Sequence, residues 1–244
     1  MINGQSCKVL LVFTTETNST RQMADAVAEG VRSVPGSTCE VVCLERGTEV
    51  QASDVPVYDA LILGTPVRHR TMHHRVKRFI ESTLETLWLR DETVGMVGGV
   101  FCVGGGHGDT GAGAELCLLG MLSAMAANGM IPAPLPKCTP GFDHAGNHWG
   151  PVGRSGGAKM QPLWLSADML ACATTHGSNI ARLARVLKPH RPSLFQRGNV
   201  APTPELAEAF SMGAGGEHAG VPEPGANVAH RVEPPHGFPS GPSD

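Results

Sequence analysis

Five short apolar runs, each about the length of a β-strand, alternate along the chain with stretches whose apolar residues repeat at helical spacing. Residues 8–13 and 59–64 are nearly continuous apolar runs, as in strands that are buried on both faces. Between them, Met23, Val27 and Val31 recur about one helical turn apart. A helix between two strands returns the chain to the starting edge, so the strands pair in parallel. The pattern therefore predicts a doubly wound α/β domain.

The predicted sheet has five parallel strands in the order 2-1-3-4-5. Its strands are residues 8–13, 39–44, 59–64, 93–103 and 130–135. Predicted helices lie near residues 23–31 and 76–84, at residues 114–128, and from a cap at Ser166 to Leu187. Residues 136–165 are rich in Gly, Pro and His and are predicted to be a loop. In such a sheet the ligand site lies at the carboxyl ends of strands one, three and four.

The composition of the chain changes near Lys188. Gly and Pro make up about a third of residues 189–244 and about a sixth of residues 1–188. A segment of this composition buries too little apolar surface to offset the entropy lost on ordering. We therefore predict a folded domain at residues 1–188 and a disordered tail at residues 189–244. Residues 203–212 alone in the tail have a helical pattern, and a docking helix there is the alternative.

Charge and cysteine content exclude several classes of protein. The formal net charge of -3 provides no basic field for a nucleic-acid backbone. No apolar run reaches the roughly 18 residues that span a bilayer, and no secretion signal opens the sequence, so we expect a cytoplasmic protein. Seven cysteines without a C-x-x-C pair fit neither a disulfide framework nor a zinc ribbon. No metal site is predicted.

A hydroxyl-rich segment follows the first strand. Residues 14–20 read Thr-Thr-Glu-Thr-Asn-Ser-Thr and lead directly into the first helix. Hydroxyl groups and free N–H groups at a helix start can converge on a phosphate. The segment lacks the lysine that a P-loop uses for a nucleoside triphosphate, which favours a monophosphate. Simple capping of the helix by Ser19 or Thr20 is the alternative interpretation.

Two further motifs match known patterns only in part. Residues 106–111 fit G-x-G-x-x-G, but the next strand ends without the acidic residue that would bind a ribose. These glycines indicate either close backbone approach to a flat ligand or a mobile loop. Residues 153–157 fit G-x-S-x-G, but no predicted strand precedes them and Pro162 interrupts the helix that should follow. We assign no nucleophile there.

Taken together, these segments resemble the WrbA-type NAD(P)H:quinone oxidoreductases, which are flavodoxin-like enzymes that carry FMN. The resemblance covers residues 7–188, and its most specific piece is G-T-P-x-R at residues 64–68. Its other matching segments are residues 8–28, 58–72, 100–113 and 128–130. The resemblance implies FMN as cofactor, NAD(P)H and a quinone as substrates, and a homo-oligomer, either a dimer or a tetramer.

The resemblance also implies which residues form the site. By resemblance, the FMN phosphate is contacted by Thr15, Glu16, Thr17, Asn18, Ser19 and Thr20. The isoalloxazine ring is contacted by Val67, Arg68 and His69. The pyrimidine edge of that ring is contacted by Val103, Gly104, Gly105, Gly106, His107 and Gly108. Asn128 lies near the flavin, and Trp88 and Thr17 contact the substrate. No catalytic acid or base is assigned, because hydride transfer to flavin needs mainly orientation and donors at the ring edge.

Three site positions differ from the residue that the family usually has there: Thr17 and His69 each replace an aromatic residue, and Asn128 replaces a histidine. Stacking on the flavin would then fall to His69, Trp88 or Trp149, and Trp149 can equally be interpreted as a loop anchor. These substitutions predict slow flavin reduction and keep a non-catalytic scaffold open as an alternative function. An electron-carrying flavodoxin is the weaker alternative, because the folded domain lacks the acidic face that such carriers normally show.

Overall fold

The structure, a computed structural model, describes residues 6–45, 48–106, 112–157, 159 and 161–196. Within these ranges the strands form one parallel sheet in the order β2-β1-β3-β4-β5, and β6 pairs with β4 as well. The strands are β1 (Cys7–Phe13), β2 (Ser37–Cys43), β3 (Ala60–Pro66), β4 (Val97–Gly104), β5 (Ile131–Pro132) and β6 (Val152–Arg154). The predicted doubly wound fold and its strand order are confirmed.

Helices cover both faces of the sheet. They are α1 (Ser19–Arg32), α2 (His74–Phe79), α3 (Glu85–Trp88), α4 (Ala114–Ala127), α5 (Phe142–Ala145) and α6 (Ala167–Leu187). A π-helical turn, Ile80–Leu84, joins α2 to α3. Helices α1 and α6 bury their apolar residues on one face of the sheet, and α2 and α4 do so on the other. No helix within the described ranges is both long and apolar enough to cross a membrane.

The sheet has six strands instead of the predicted five because β5 is short. Pro132, Pro134 and Pro136 lack the N–H groups that a ladder needs, so β5 pairs with β4 only at Val97 and Gly98. This leaves the carboxyl half of the β4 edge open, and β6 pairs with it. The predicted loop therefore contains a strand and the short helix α5.

The start of β4 also differs from the prediction, which began this strand at Thr93. The Thr93 hydroxyl donates to the Asn128 carbonyl at 2.8 Å, and the Gly95 N–H donates to the Gly129 carbonyl at 2.9 Å. Gly95 has a φ of +80°, which ends extended structure. The strand starts at Val97, after this turn.

Two glycines let α1 and α6 touch backbone to backbone. A Cβ atom on Gly30 would lie 1.8 Å from the Thr174 carbonyl oxygen, and one on Gly177 would lie 2.0 Å from the Val27 carbonyl oxygen. Side chains at either position would force the helices apart. The close crossing holds α1 in place, and the first turn of α1 borders the hydroxyl-rich segment.

The folded part continues beyond Lys188, where the sequence predicted its end. The Lys188 ammonium donates to the Ser6 carbonyl at 2.7 Å and to the Asp59 carboxylate at 3.0 Å. The Arg191 guanidinium donates to three backbone carbonyls, those of Tyr58, Glu92 and Val94. The rest of the predicted tail, with its predicted helix at residues 203–212, lies outside the described residues, and its disorder stays a prediction.

A chain that ends at Lys188 should be less stable than a chain that ends at Gln196. The shorter chain loses the Arg191 guanidinium, which satisfies three carbonyls, and its melting temperature should fall by roughly 3–8 °C relative to the longer one. Thermal unfolding of both truncated proteins under the same conditions measures the difference. Equal melting temperatures would show that the Arg191 contacts contribute nothing to stability.

His176 of α6 is a fully buried titratable group. Neither ring nitrogen makes a hydrogen bond of normal geometry. Burial lowers the pKa of His176 to about 4, with the nearby Val100 backbone opposing the shift. The ring is therefore neutral in the folded protein at pH 7.

Stability should fall as the pH is lowered from about 6.5 toward 4. In that range the unfolded chain binds a proton at His176 and the folded chain does not, which costs up to about 1.4 kcal/mol per pH unit. His176→Leu should remove this part of the pH dependence. Urea unfolding of both proteins at pH 7, 6 and 5 provides the slopes, and identical slopes would contradict the assignment.

Candidate functional site

The topological switch point, where a doubly wound sheet has its crevice, lies where β1 and β3 end side by side. The two strands pair directly, and the helices that follow them, α1 and α2, pack on opposite faces of the sheet. Three segments border the crevice: the hydroxyl loop (residues 14–20), the β3 turn (residues 67–72) and the described start of the glycine loop (residues 104–106). Residues 107–111 of the glycine loop, with the predicted His107 and Gly108, lie outside the described residues.

Two adjacent threonines of the hydroxyl loop, Thr14 and Thr15, differ in their hydrogen bonding. The Thr14 hydroxyl is buried and donates to the Leu44 carbonyl at 3.0 Å, which ties the end of β1 to the end of β2. The Thr15 hydroxyl is buried, and among the described residues it has no hydrogen-bond partner. A buried hydroxyl without a hydrogen-bond partner lowers the stability of a folded protein unless a ligand forms a hydrogen bond with it.

The start of α1 is not capped by a side chain. Asn18 occupies the cap position with a φ of 64°, and its side chain makes no capping hydrogen bond. Ser19 and Thr20, the alternative caps proposed from the sequence, are buried in the first helical turn. The first N–H groups of a 14-residue helix therefore lack the usual side-chain acceptor. Together with Thr15 they suit a phosphate group.

The β3 turn is a tight reversal with strained backbone. Arg68 and Thr71 exchange backbone hydrogen bonds at 2.8 and 2.9 Å. His69 and Arg70 between them have φ values of 45° and 67°, as in a type I′ turn. Neither is glycine, so each costs about 1–2 kcal/mol. Such strain is typical of binding segments that the surrounding structure holds in place.

Glu16 is held by two basic side chains. Its carboxylate forms an ion pair with Arg68, and its Oε1 lies 3.4 Å from Nε2 of His73. Burial, reinforced by the charges of His74, Arg75 and Arg68, lowers the pKa of His73 to about 4. The neutral ring accepts the Arg75 N–H at Nδ1, so its proton lies on Nε2, toward Glu16. Arg68 therefore neutralises the one carboxylate of the hydroxyl loop.

His73 was not predicted from the sequence. It follows the β3 turn, and its backbone N–H donates to the Thr65 hydroxyl at 2.9 Å. Its neighbour His74 is the only local signal, and paired histidines point to no particular chemistry. The contact with Glu16 depends on the tertiary fold and so leaves no spacing pattern.

The glycine loop leaves room beside the β3 turn. The Val67 N–H donates to the Val103 carbonyl at 2.8 Å, and an added Cβ on Gly104 would meet the Val67 side chain at 3.4 Å. Gly105 is exposed, and an added Cβ there would have no neighbour within 4 Å. The described part of this loop therefore offers open backbone to a flat ligand.

Two predicted residues lie elsewhere. Trp88 ends α3 and Asn128 follows α4, so both are at the amino edge of the sheet, opposite the crevice. They share a shallow groove of about 280 Å³ with Ile80, Glu81, Glu85, Ala124 and Ala127. The Asn128 amide donates to the Ala124 carbonyl at 2.9 Å, while its buried Oδ1 has no partner. Within one chain these two residues cannot contact a ligand held in the crevice.

Trp149 has the contacts of a loop anchor. Its indole N–H donates to the Glu115 carboxylate at 3.3 Å, and its backbone N–H donates to the Asn147 side chain at 3.0 Å. The first of these bonds ties the segment before β6 to the first turn of α4, and the second lies within that segment. The anchor interpretation of this residue therefore has direct geometric support.

A larger cavity, of about 530 Å³, lies beside the crevice between the end of β2 and α2. Its lining includes Glu45, His74, Arg75 and Arg78 and contains none of the predicted site residues. The His74 ring lies 4.1 Å from the His73 ring, centroid to centroid. Because His73 lies next to Glu16, the two histidines His73 and His74 lie between the cavity and Glu16.

The fold and the crevice define a flavodoxin-like protein, and comparison with known proteins agrees. Residues 10–104 match the flavodoxin domain family. The flavodoxin, WrbA-like protein from Agrobacterium tumefaciens superposes with a TM-score of 0.57 at 20% identity, over 75% of this chain and 99% of that one. A flavodoxin from Aquifex aeolicus is 35% identical over 124 residues, which are 51% of this chain and 63% of that protein.

A longer sequence match shows which family this chain belongs to. The NAD(P)H dehydrogenase (quinone) of Solidesulfovibrio magneticus is 32% identical over 208 residues, covering 74% of this chain and 98% of the relative. This chain belongs to the same flavodoxin-like family of NAD(P)H dehydrogenases (quinone), as its sequence motifs predicted.

The residues of the crevice fit FMN. Sheets of this strand order hold FMN where β1 and β3 diverge. The unpartnered Thr15 hydroxyl and the uncapped start of α1 suit its phosphate, and the open space at Gly105 suits its flat ring.

Thr15→Val should weaken FMN binding about 10- to 100-fold, because a hydrogen bond to a charged group contributes roughly 1.5–3 kcal/mol. The melting temperature of the apoprotein should stay the same or rise, since the hydroxyl has no partner in the protein. Thr14→Val is the matched control and should lower that melting temperature by breaking the bond to Leu44. Quenching of FMN fluorescence measures affinity. Unchanged affinity in Thr15→Val would contradict the phosphate assignment.

Proposed function

We propose that this protein is an FMN-dependent NAD(P)H:quinone oxidoreductase. The observation that carries the proposal is the phosphate cradle beside an open glycine loop, formed by the Thr15 hydroxyl and the uncapped start of α1. The match to an NAD(P)H dehydrogenase (quinone) over nearly its whole length supports the choice of substrates. We also propose that the protein acts in the cytoplasm.

The protein's share of the chemistry is binding and orientation. Bound FMN would supply the chemistry of hydride acceptance from the nicotinamide and two-electron reduction of the quinone. The hydroxyl loop and α1 hold the phosphate, and Val67, Arg68 and His69 border the ring. Gly104 to Gly106 would border its pyrimidine edge, where fixed backbone donors stabilise negative charge. No side chain is required as an acid or base.

Both substrates use the same crevice. The exposed side chains of Thr17 and His69 border its mouth, on the hydroxyl loop and on the β3 turn. A crevice shared in this way favours a ping-pong cycle, in which NAD(P)⁺ leaves before the quinone enters. The residues at this mouth determine how large a quinone can enter the crevice.

The proposal includes a homo-oligomer, either a dimer or a tetramer. Trp88 and Asn128 lie at the opposite edge of the sheet from the crevice, in a groove of their own. They contact a flavin or a substrate only if a second copy presents that groove to the crevice. Analytical ultracentrifugation tests this, and a monomer at working concentration would remove both residues from the site.

Anaerobic spectroscopy of the purified protein tests the function. A yellow protein whose flavin absorbance bleaches with NADH or NADPH, and recovers on adding a benzoquinone, supports the enzyme. Bound flavin that neither nucleotide bleaches points to an electron carrier or an inactive site. A protein that binds no flavin, even after incubation with FMN, is a scaffold.

Thr17→Tyr should speed flavin reduction. The added ring can stack in the crevice, and an aromatic contact contributes about 0.5–1.5 kcal/mol, or roughly a two- to tenfold faster rate. His69→Phe should act in the same direction but less cleanly, because a bulky residue fits the left-handed backbone at position 69 poorly. Thr38→Tyr, exposed on β2, is the control. Anaerobic stopped flow measures the rates, and slower reduction in Thr17→Tyr would contradict the missing-ring argument.

A further inference from the structure

β6 leads into an antiparallel pairing of residues 152–157 with residues 161–165, here called the hairpin, that the sequence analysis did not predict. The Gly157 N–H donates to the Gln161 carbonyl at 2.9 Å, and the Leu163 N–H donates to the Ser155 carbonyl at 2.8 Å. Gly156 pairs with Pro162 in antiparallel register. This register places Arg154 opposite Trp164 and Gly153 opposite Leu165.

The two faces of the hairpin differ. Leu165 is buried, and an added Cβ on Gly153 would meet the side chains of Leu165 and Met23 at 3.0 Å, so this face packs on α1. Side chains alternate along a strand, so Arg154 and Trp164 share the other face. Trp164 is 78% exposed, so that face is open.

Three hydrogen bonds fix the hairpin to the crevice. The Ser155 N–H donates to the Gly104 carbonyl at 3.0 Å, and the Leu165 N–H donates to the Gln22 side chain of α1 at 3.3 Å. The Arg154 Nη2 donates to the Gly106 carbonyl at 3.1 Å. The hairpin therefore joins the glycine loop to the helix that follows the hydroxyl loop.

Among the described residues, no carboxylate pairs with the Arg154 guanidinium. Within the part of the chain that the structure describes, the guanidinium bonds only the carbonyls of Gly106 and Gly156. These bonds use Nε and Nη2, so a guanidinium with five N–H donors keeps further donors for a ligand. A full positive charge thus lies against Gly106, in the loop assigned to the pyrimidine edge of the flavin.

We propose that Arg154 is the cationic group at the N1/O2 edge of the bound flavin and stabilises the negative charge that this edge gains on reduction. The proposal rests on the proposed function, because it takes the glycine loop as the wall of the pyrimidine edge. A positive charge there makes the flavin easier to reduce. It also favours two-electron chemistry with a hydride donor.

Sulfite provides a direct probe of this charge. Sulfite adds to N5 of oxidised flavin, its electron pair forming the new S–N bond, and leaves a negative charge at N1/O2, with loss of the visible absorbance. Arg154→Met should weaken sulfite binding by about tenfold or more, while Arg154→Lys should stay within about threefold of the unmodified protein. The flavin potential, measured by equilibration with a reference dye, should fall in Arg154→Met and hold in Arg154→Lys.

Other outcomes have distinct meanings. Equal losses in Arg154→Met and Arg154→Lys would show that Arg154 only supports the Gly106 carbonyl, and unchanged sulfite binding in both would place the charge away from the flavin. Either result overturns the proposal. Arg90→Met, which removes an exposed arginine beyond α3, is the control and should change nothing. All comparisons use FMN-loaded protein that NAD(P)H reduces, so failure of the proposed function is recognised first.

Discussion

The parallel pairing of β1 with β3 is the constraint on which the site depends. These strands are neighbours in the sheet, yet the helices after them pack on opposite faces, so the segments that follow must separate. The bond from Thr14 to the Leu44 carbonyl fixes the near side of the resulting crevice, and the bond from Val67 to Val103 fixes the far side. Loops that follow directly paired strands keep fixed positions relative to each other, which is what a rigid ligand such as a flavin requires.

The electrostatics of the crevice favour binding of an anion although the hydroxyl loop contains no lysine. The one carboxylate of the hydroxyl loop, Glu16, is neutralised by Arg68 and lies beside His73, whose lowered pKa keeps that ring neutral. A phosphate would therefore meet helix N–H groups and hydroxyls with little repulsion. Arg154 lies against Gly106 at the other wall, so under our proposal the phosphate and the N1/O2 edge of a reduced flavin would face different protein groups.

Local patterns predicted the parts of the fold that depend on buried strands. The apolar runs that became β1 and β3 and the cap at Ser166 all agree with the structure. β6 was missed because three residues of mixed polarity show no period, and its place became free only when prolines shortened β5. His73 and Arg154 were missed because tertiary contacts alone bring them to the site. Trp88 and Asn128 show the limit of resemblance, since the structure places both at the edge of the sheet opposite the crevice.

The central claim is that the hydroxyl loop and the start of α1 bind a phosphate monoester. Titration of the apoprotein with FMN and with riboflavin, which differ only in that phosphate, tests it most directly. The account predicts that FMN binds at least about 100-fold more tightly, since several charge-assisted hydrogen bonds are lost with riboflavin, and that inorganic phosphate weakens FMN binding. Equal affinities for the two flavins would contradict it.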